Sequence, residues 1–143
     1  RISLYNESND TSIIMAKKKP QPTDSELQIL QLLWQYGASS VRNINDILNK
    51  KREVGYTTTL KMMQIMREKE LVLRDDSQRT HIYSAAIKEQ DTQKRLLDNF
   101  VESAFRGASM KMVMQALGNH EASEEELSEI KALIESIEKK NKS

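Results

Sequence analysis

The stretch Val54-Gly-Tyr-Thr-Thr-Thr-Leu-Lys-Met-Met-Gln-Ile-Met-Arg-Glu-Lys-Glu70 decides how the rest of the chain is read. On a 3.6-residue repeat, Met62, Met63 and Met66 share one helix face, while Thr57, Thr58, Lys61 and Gln64 fall largely on another. Gly55 breaks the chain just before it. Short hydroxyls and a cation on the free side of a first turn suit a DNA major groove. There, hydroxyls reach phosphates or base edges, and the amides of a helix N-terminus favour a phosphate. An ordinary solvated surface helix is the competing reading, and the neighbouring elements decide between the two.

Upstream, Thr23-Asp24-Ser25-Glu26 has the spacing of a capping box. It opens a helix with Leu27, Leu30, Leu33 and Trp34 at core spacing, and Gly37 stands where a left-handed C-cap residue belongs. A second helix is expected from about Ser40 to Lys51, with Val41, Ile44, Ile47 and Leu48 inward and Arg42 on the opposite side. The quoted stretch then forms the third. Beyond it the period changes to that of a small hairpin: Leu71 to Arg74, a polar turn Asp75-Asp76-Ser77-Gln78, and Arg79 to Ser84. Three helices and a hairpin make a winged helix-turn-helix, with the third helix in the major groove and the wing beside it. Arg74 and Arg79 would flank the wing tip. Asp75 and Asp76 at the tip would face phosphate, so the wing is expected to graze the backbone rather than insert deeply.

From about Lys88 the chain is helical again. Leu97, Val101 and Phe105 recur in steps of four with Leu96 and Phe100 beside them, and Gly107 ends the segment. Met110, Val113, Met114 and Leu117 make a short helix stopping at Gly118. A second capping box, Ser123-Glu124-Glu125-Glu126, opens a last helix carrying Leu127, Ile130, Ile134 and Ile137. Three such helices are too small to build a sizeable core alone, and two copies packed together would solve the problem. The expected organisation is mainly α: a leader and basic arm over residues 1–21, a winged helix-turn-helix over 22–86, and a helical dimerisation domain over 87–143.

Composition narrows the function classes. Thirty per cent of residues are charged and 5 % aromatic, a helix-leaning balance. No run approaches the roughly 18 apolar residues of a membrane span, and no stretch is ordered like a secretory signal. With no cysteine there is neither a disulfide framework nor a thiolate metal site, and the cytoplasm is the default compartment. Residues 15–84 carry 12 Lys/Arg against 8 Asp/Glu, residues 85–143 carry 9 against 11, as befits a basic head on a neutral association module. Residues 1–14 lack any sustained period and precede Met15-Ala16-Lys17-Lys18-Lys19, which looks like a natural start. They are expected to be an upstream in-frame leader, and Lys17 to Pro22 an extended arm. Catalytic chemistry is missing: His81 and His120 lie far apart without ligand spacing, and there is no phosphate-cradling glycine loop or Gly-x-Ser-x-Gly. Glu124 to Glu126 read as a solvated helix start. No enzyme, metal, cofactor or small-molecule ligand is expected.

Several landmarks together resemble the family of penicillinase repressors and methicillin-resistance repressors. Pro22 to Trp34 resembles its opening, Val41-Arg42-Asn43-Ile44 the start of its second helix, and Tyr56-Thr57-Thr58 and Lys69-Glu70-Leu71 its Tyr-Thr-Thr and Lys-Gly-Leu motifs. Gly107-Ala108-Ser109 with Met112-Val113, then Ser123 to Leu127, resemble its dimerisation region. The resemblance spans residues 22–139 or so. It implies a cytoplasmic homodimeric transcriptional repressor that sits on operator dyads near β-lactam resistance genes. The recognition positions carry over to Thr57, Thr58 and Lys61, with Arg42 as a phosphate anchor; with Tyr56, Gln64, Arg74 and Arg79 they make the expected DNA-binding set. Lys61 replaces a threonine common in the family, and Glu70 replaces a glycine before the hairpin. In some relatives a membrane sensor-protease pathway triggers cleavage at an Asn-Phe pair, which aligns here with Gln115-Ala116. Copper-responsive relatives carry a cysteine cluster that this chain lacks. The alternative reading is a winged-helix protein-interaction module without sequence-specific DNA binding.

Overall fold

The computed structural model describes residues 21–142; the leader and most of the basic arm lie outside them. Among the described residues the protein is mainly helical, with six helices and one small sheet. The elements are α1 (Asp24–Tyr36), β1 (Ser39–Ser40), α2 (Val41–Asn49), α3 (Tyr56–Glu68), β2 (Val72–Asp75), β3 (Ile82–Ala85), α4 (Glu89–Phe105), α5 (Ser109–Asn119) and α6 (Glu124–Lys142). The chain divides into two compact units after Leu96, inside α4.

In the first unit, α1 begins at the expected capping box. Thr23 Oγ1 accepts from the Glu26 N–H at 3.2 Å, and the Thr23 N–H donates to Glu26 Oε1 at 2.9 Å. Glu26 is almost fully buried, and Lys69 just past the end of α3 donates to both its oxygens at 2.9 and 3.1 Å. One carboxylate therefore satisfies an orphan amide at a helix start and anchors a second helix end. At the other end of α1, Gly37 takes φ +84° and its N–H closes on Leu33 O at 2.9 Å. With ψ at −169° this is an extended glycine conformation rather than the left-handed helical cap expected, and it delivers Ser39 and Ser40 into β1.

That strand was not legible in the sequence. Two serines show no alternation, yet they pair antiparallel with β3, Ser39 opposite Tyr83 and Ser40 opposite Ile82, giving a sheet ordered β1-β3-β2. The hairpin itself is shorter than expected and its loop longer. Asp75 belongs to β2, opposite Ile82, and Arg79 and His81 lie in the loop of residues 76–81.

The core is made of Ile29, Leu30 and Leu33 from α1, Val41 and Ile44 from α2, Met63 and Met66 from α3, and Leu71, Val72 and Tyr83 from the wing. Leu27, Trp34 and Met62, all expected in the core, are only partly buried. Trp34 is turned to the margin because its indole N–H donates to Ile87 O at 2.9 Å, tying α1 to the chain beyond the wing. Ile47 and Leu48 are likewise partly buried, and Asn45 takes an inward position instead.

The end of α3 departs most from a relaxed backbone. Leu71 N–H bonds Met66 O at 2.9 Å and Glu70 N–H bonds Arg67 O at 3.0 Å, the two bonds of a Schellman motif, with Leu71 and Met66 both fully buried. The motif puts Glu70 at φ +62°, a left-handed conformation that costs a residue bearing a β-carbon about 1–2 kcal/mol.

In the second unit, α4 ends with Arg106 and Gly107 both at positive φ, and the Gly107 N–H reaches Val101 O at 3.1 Å. α5 runs one residue past Gly118 to Asn119. The Ser123–Glu126 capping box forms, both bonds at 3.1 Å. Among the described residues of this unit, only Val101 is buried.

Two stability predictions follow from these contacts. Replacing Glu70 with glycine removes the β-carbon clash and adds unfolded-state entropy; the net expectation is a gain of about 0.5–1 kcal/mol in urea unfolding. Glu70→Ala, which keeps the β-carbon, should give no such gain. For Glu26, burial alone raises the carboxyl's pKa, but hydrogen bonds from Thr23 and the Lys69 ammonium outweigh it and the group lies below the usual range. Its contribution is complete above the ordinary value and disappears as the pH falls through the lowered native one. Stability should therefore drop below about pH 4.3. Glu26→Gln keeps the capping geometry, costs about 1–2 kcal/mol at neutral pH and flattens that acid loss; an unchanged acid limb in denaturation curves would contradict the assignment.

Candidate nucleic-acid interface

The turn between α2 and α3 is closed by one side chain. Asn49 Nδ2 donates to Asn45 O at 2.7 Å and Val54 O at 2.8 Å, and its Oδ1 accepts from the Val54 N–H at 3.0 Å. Asn45 in turn accepts from Thr59 Oγ1 at 2.6 Å, a hydrogen bond between two buried side chains. Thr59, Met63 and Met66 thus define the inward face of α3. Thr57, Thr58, Lys61 and Gln64 are all exposed, as a helix turned this way requires. Among the described residues Lys61 makes no ion pair.

Gly55 caps α3 without a side-chain hydrogen bond, so no capping side chain covers the amides of the first turn. Tyr56, half exposed, lies under the Arg42 guanidinium, which stands 5.9 Å from its ring centroid. Arg42 is exposed at the start of α2, whose N-cap is Ser40, accepting from the Asn43 N–H at 3.1 Å. The aromatic face and the cation hold each other where the two helices begin.

A groove of about 570 Å³ separates the starts of α2 and α3 from the wing. Arg42, Tyr56 and Gln64 line it on the helical side, and Arg74, Arg79 and His81 on the wing side. Thr57, Thr58 and Lys61 lie outside this lining, on the neighbouring exposed surface of α3. Of the eight residues expected from the sequence, five therefore share the groove and three extend its polar surface along the helix. Ser40, Thr80 and His81 also line it and were not anticipated. Nothing in their sequence context marked them, since β1 and the loop brought them there.

The wing's charges are not arranged as the sequence suggested. Asp75 Oδ1 accepts from the Ser77 N–H at 2.9 Å, shaping the turn. Asp76 does not stand alone at a tip: Arg74 Nε lies 2.6 Å from one of its oxygens and the Arg74 terminal nitrogen 3.2 Å from the other. The hydrogen bond from Arg74 holds the Asp76 carboxyl below its usual range, and Asp76 raises Arg74. Arg79 is exposed and makes no ion pair among the described residues. No cluster of His, Cys, Asp or Glu among the described residues could hold a metal ion.

The residues expected to dimerise divide by exposure. Leu97, Phe100, Met110, Met114, Leu117, Leu127, Ile134 and Ile137 are exposed; Phe105, Val113 and Ile130 are partly buried, and Val101 is buried. Phe100 and Phe105 meet edge to face at 5.8 Å. Leu133, 61 % exposed, belongs with the exposed set and was missed, because the 3–4–3 rhythm of α6 passes over it.

Comparison with known proteins supplies the family. The penicillinase repressor of Staphylococcus aureus is 25 % identical over 126 residues, covering 88 % of this chain and all of that protein. The penicillinase repressor of Bacillus licheniformis is 24 % identical over 126 residues, covering 88 % and 98 %. A solution structure of monomeric Bacillus licheniformis BlaI with the blaP half-operator aligns with a TM-score of 0.46 at 23 % identity, over 52 % of this chain and 90 % of that one. The family model described as penicillinase repressor matches residues 22–136, from the capping box of α1 to within two turns of the end of α6, and the chain belongs to that family.

Proposed function

We propose that this protein is a DNA-binding transcriptional repressor, acting as a cytoplasmic homodimer on a palindromic operator and resembling the regulators of β-lactam resistance genes. The observation that carries the reading is the exposed polar face of α3, fixed by the buried Thr59–Asn45 bond and flanked by a groove with arginines on both walls. Membership of a repressor family agrees with it. In this reading Thr57, Thr58, Lys61 and Gln64 meet base edges or phosphates, and the uncapped amides of α3 receive a phosphate. Arg42, held by Tyr56, and Arg79 contact the backbone.

The winged helix-turn-helix corresponds to residues 22–86 and the dimerisation module to 87–143. The exposed apolar side chains of α4, α5 and α6 supply the dimer contact, and a twofold dimer reads two half-sites one or more helical turns apart. No helix among the described residues is long and apolar enough to cross a membrane. Where a membrane sensor-protease pathway acts on an Asn-Phe pair, this chain offers Gln115-Ala116, exposed on α5.

Footprinting on the DNA upstream of its own gene tests the reading directly. Lys61→Ala or Thr58→Ala should weaken operator binding about tenfold while leaving the dimer intact. Arg42→Ala should lower the slope of log affinity against log salt by about 0.9 without changing sequence preference. Full operator affinity in these variants would remove the residue assignment, and no duplex preference in a genomic selection would favour the protein-interaction module. Ile134→Glu, which puts a charge on the apolar face of α6, should sediment as a monomer; a dimer unchanged by it would place the interface elsewhere.

A further inference from the structure

Two arginines and a histidine converge on one carboxylate in the loop of the wing. Besides the two contacts from Arg74, His81 Nε2 lies 3.7 Å and an Arg67 terminal nitrogen 3.9 Å from the oxygens of Asp76. Arg67 comes from the last turn of α3, Arg74 from β2, and His81 from the start of the return to β3. Arg74 is mostly enclosed and stands opposite Tyr83 in the sheet, whereas Asp76, Arg67 and His81 are each nearly half exposed.

Arg74 makes one hydrogen bond to Asp76, from a terminal nitrogen, while its buried Nε lies beside the other oxygen without bonding it. A guanidinium with an unmet N–H beside an oxyanion can take a phosphate as readily as a carboxylate. The longer contacts from Arg67 and His81 are exposed, screened and easily exchanged. The cluster therefore has the composition of an anion site, already filled by a side chain of the same loop. Two of its members, Arg74 and His81, also line the groove between α3 and the wing.

We propose that Asp76 is a resident competitor for backbone phosphate, occupying in the free protein the position that a phosphate beside α3 and the wing would otherwise take. The inference rests on the DNA-binding reading above. Backbone attraction is independent of sequence, so neutralising these cations internally lowers affinity for any duplex. Base contacts from α3 are then left to decide where the protein stays. Asp75 supplies the contrast: its carboxylate shapes the turn through Ser77 and, among the described residues, pairs with no cation.

The test measures binding of the full chain to a random-sequence duplex of about three helical turns, across a salt series. One phosphate contact carries a salt slope of about 0.9, equivalent to about eightfold in affinity at 0.1 M salt. Asp76→Asn should therefore bind about eightfold tighter at that salt, with a slope steeper by about 0.9. Asp75→Asn, which removes the same formal charge one residue away, should gain less than about twofold. Adding Arg74→Gln to Asp76→Asn should abolish most of the gain, and Asp76→Ser should reproduce it, with thermal unfolding confirming the fold of each. Equal or weaker binding by both Asp76 variants would overturn the proposal and make Asp76 a positioning residue for Arg74. An equal gain from Asp75→Asn would also overturn it, by reducing the effect to net charge. Wild-type protein that binds no duplex would sink the DNA reading itself; wild-type binding without an Asp76 gain sinks only this inference.

Discussion

The exposed chemistry of α3 depends on how that helix is rotated about its own axis, and Thr59 fixes the rotation. Each residue turns the helix by about 100°, so a slip of one position would bury Thr58 or Leu60 where Thr59 now sits. Thr59 is fully buried, and its hydroxyl would be costly there without a partner. Asn45 provides that partner at 2.6 Å, and Asn49 fixes the turn that carries Asn45 to α3. Methionine could not enforce the same phase. Met63 and Met66 fill the core beneath α3, but a flexible apolar chain tolerates small rotations that a buried hydrogen bond does not. The threonine run thus contains two kinds of residue: Thr57 and Thr58 face outward because Thr59 is held inward.

The far end of α3 is fixed by a different device. Lys69 reaches back to Glu26, so the helix is tied to the first turn of α1 across 43 residues of sequence. Because Glu26 also closes its own capping box, the start of the first helix and the end of the third are settled by one carboxylate. The Schellman turn then directs the chain into β2, and its geometry is kept even with glutamate at the left-handed position. The buried Met66–Leu71 contact and two backbone hydrogen bonds outweigh the local strain. This is why the wing can be reached without the glycine that the family resemblance leads one to expect.

The legible parts of this fold were those written in local periodicity and capping. Both capping boxes, the three helices of the first unit and the hairpin could be placed because their signals lie within a few residues of one another. β1 could not: Ser39 and Ser40 become a strand only because β3 has an open edge beside them. The inward turn of Asn45 was hidden for the same reason, since its partner is 14 residues away. Asp76 shows the clearest limit. Its charge is plain in the sequence, but whether it repels a phosphate or restrains Arg74, Arg67 and His81 is a matter of ångströms. The expected site residues gathered around the groove came from the helix pattern and the resemblance together; the loop residues beside them came from neither.

The two units differ in what they can stabilise alone. The first encloses ten buried apolar side chains from all its layers. The second, with about half the residues, encloses only Val101 among those described, while Met110, Met114 and Leu133 are 61–70 % exposed. Burial of this kind offsets little of the conformational entropy of ordering three helices, and covering that surface would supply the missing stability. In the homodimer proposed here, association and the folding of α4 to α6 become one equilibrium, and the stability of this half depends on protein concentration. The reading head does not share that dependence, because its core is its own. Loss of the dimer would then leave an intact winged helix with a single half-site, whose affinity lacks the gain from joining two. In that reading, a signal that separates the protomers would suffice to empty an operator without touching α3.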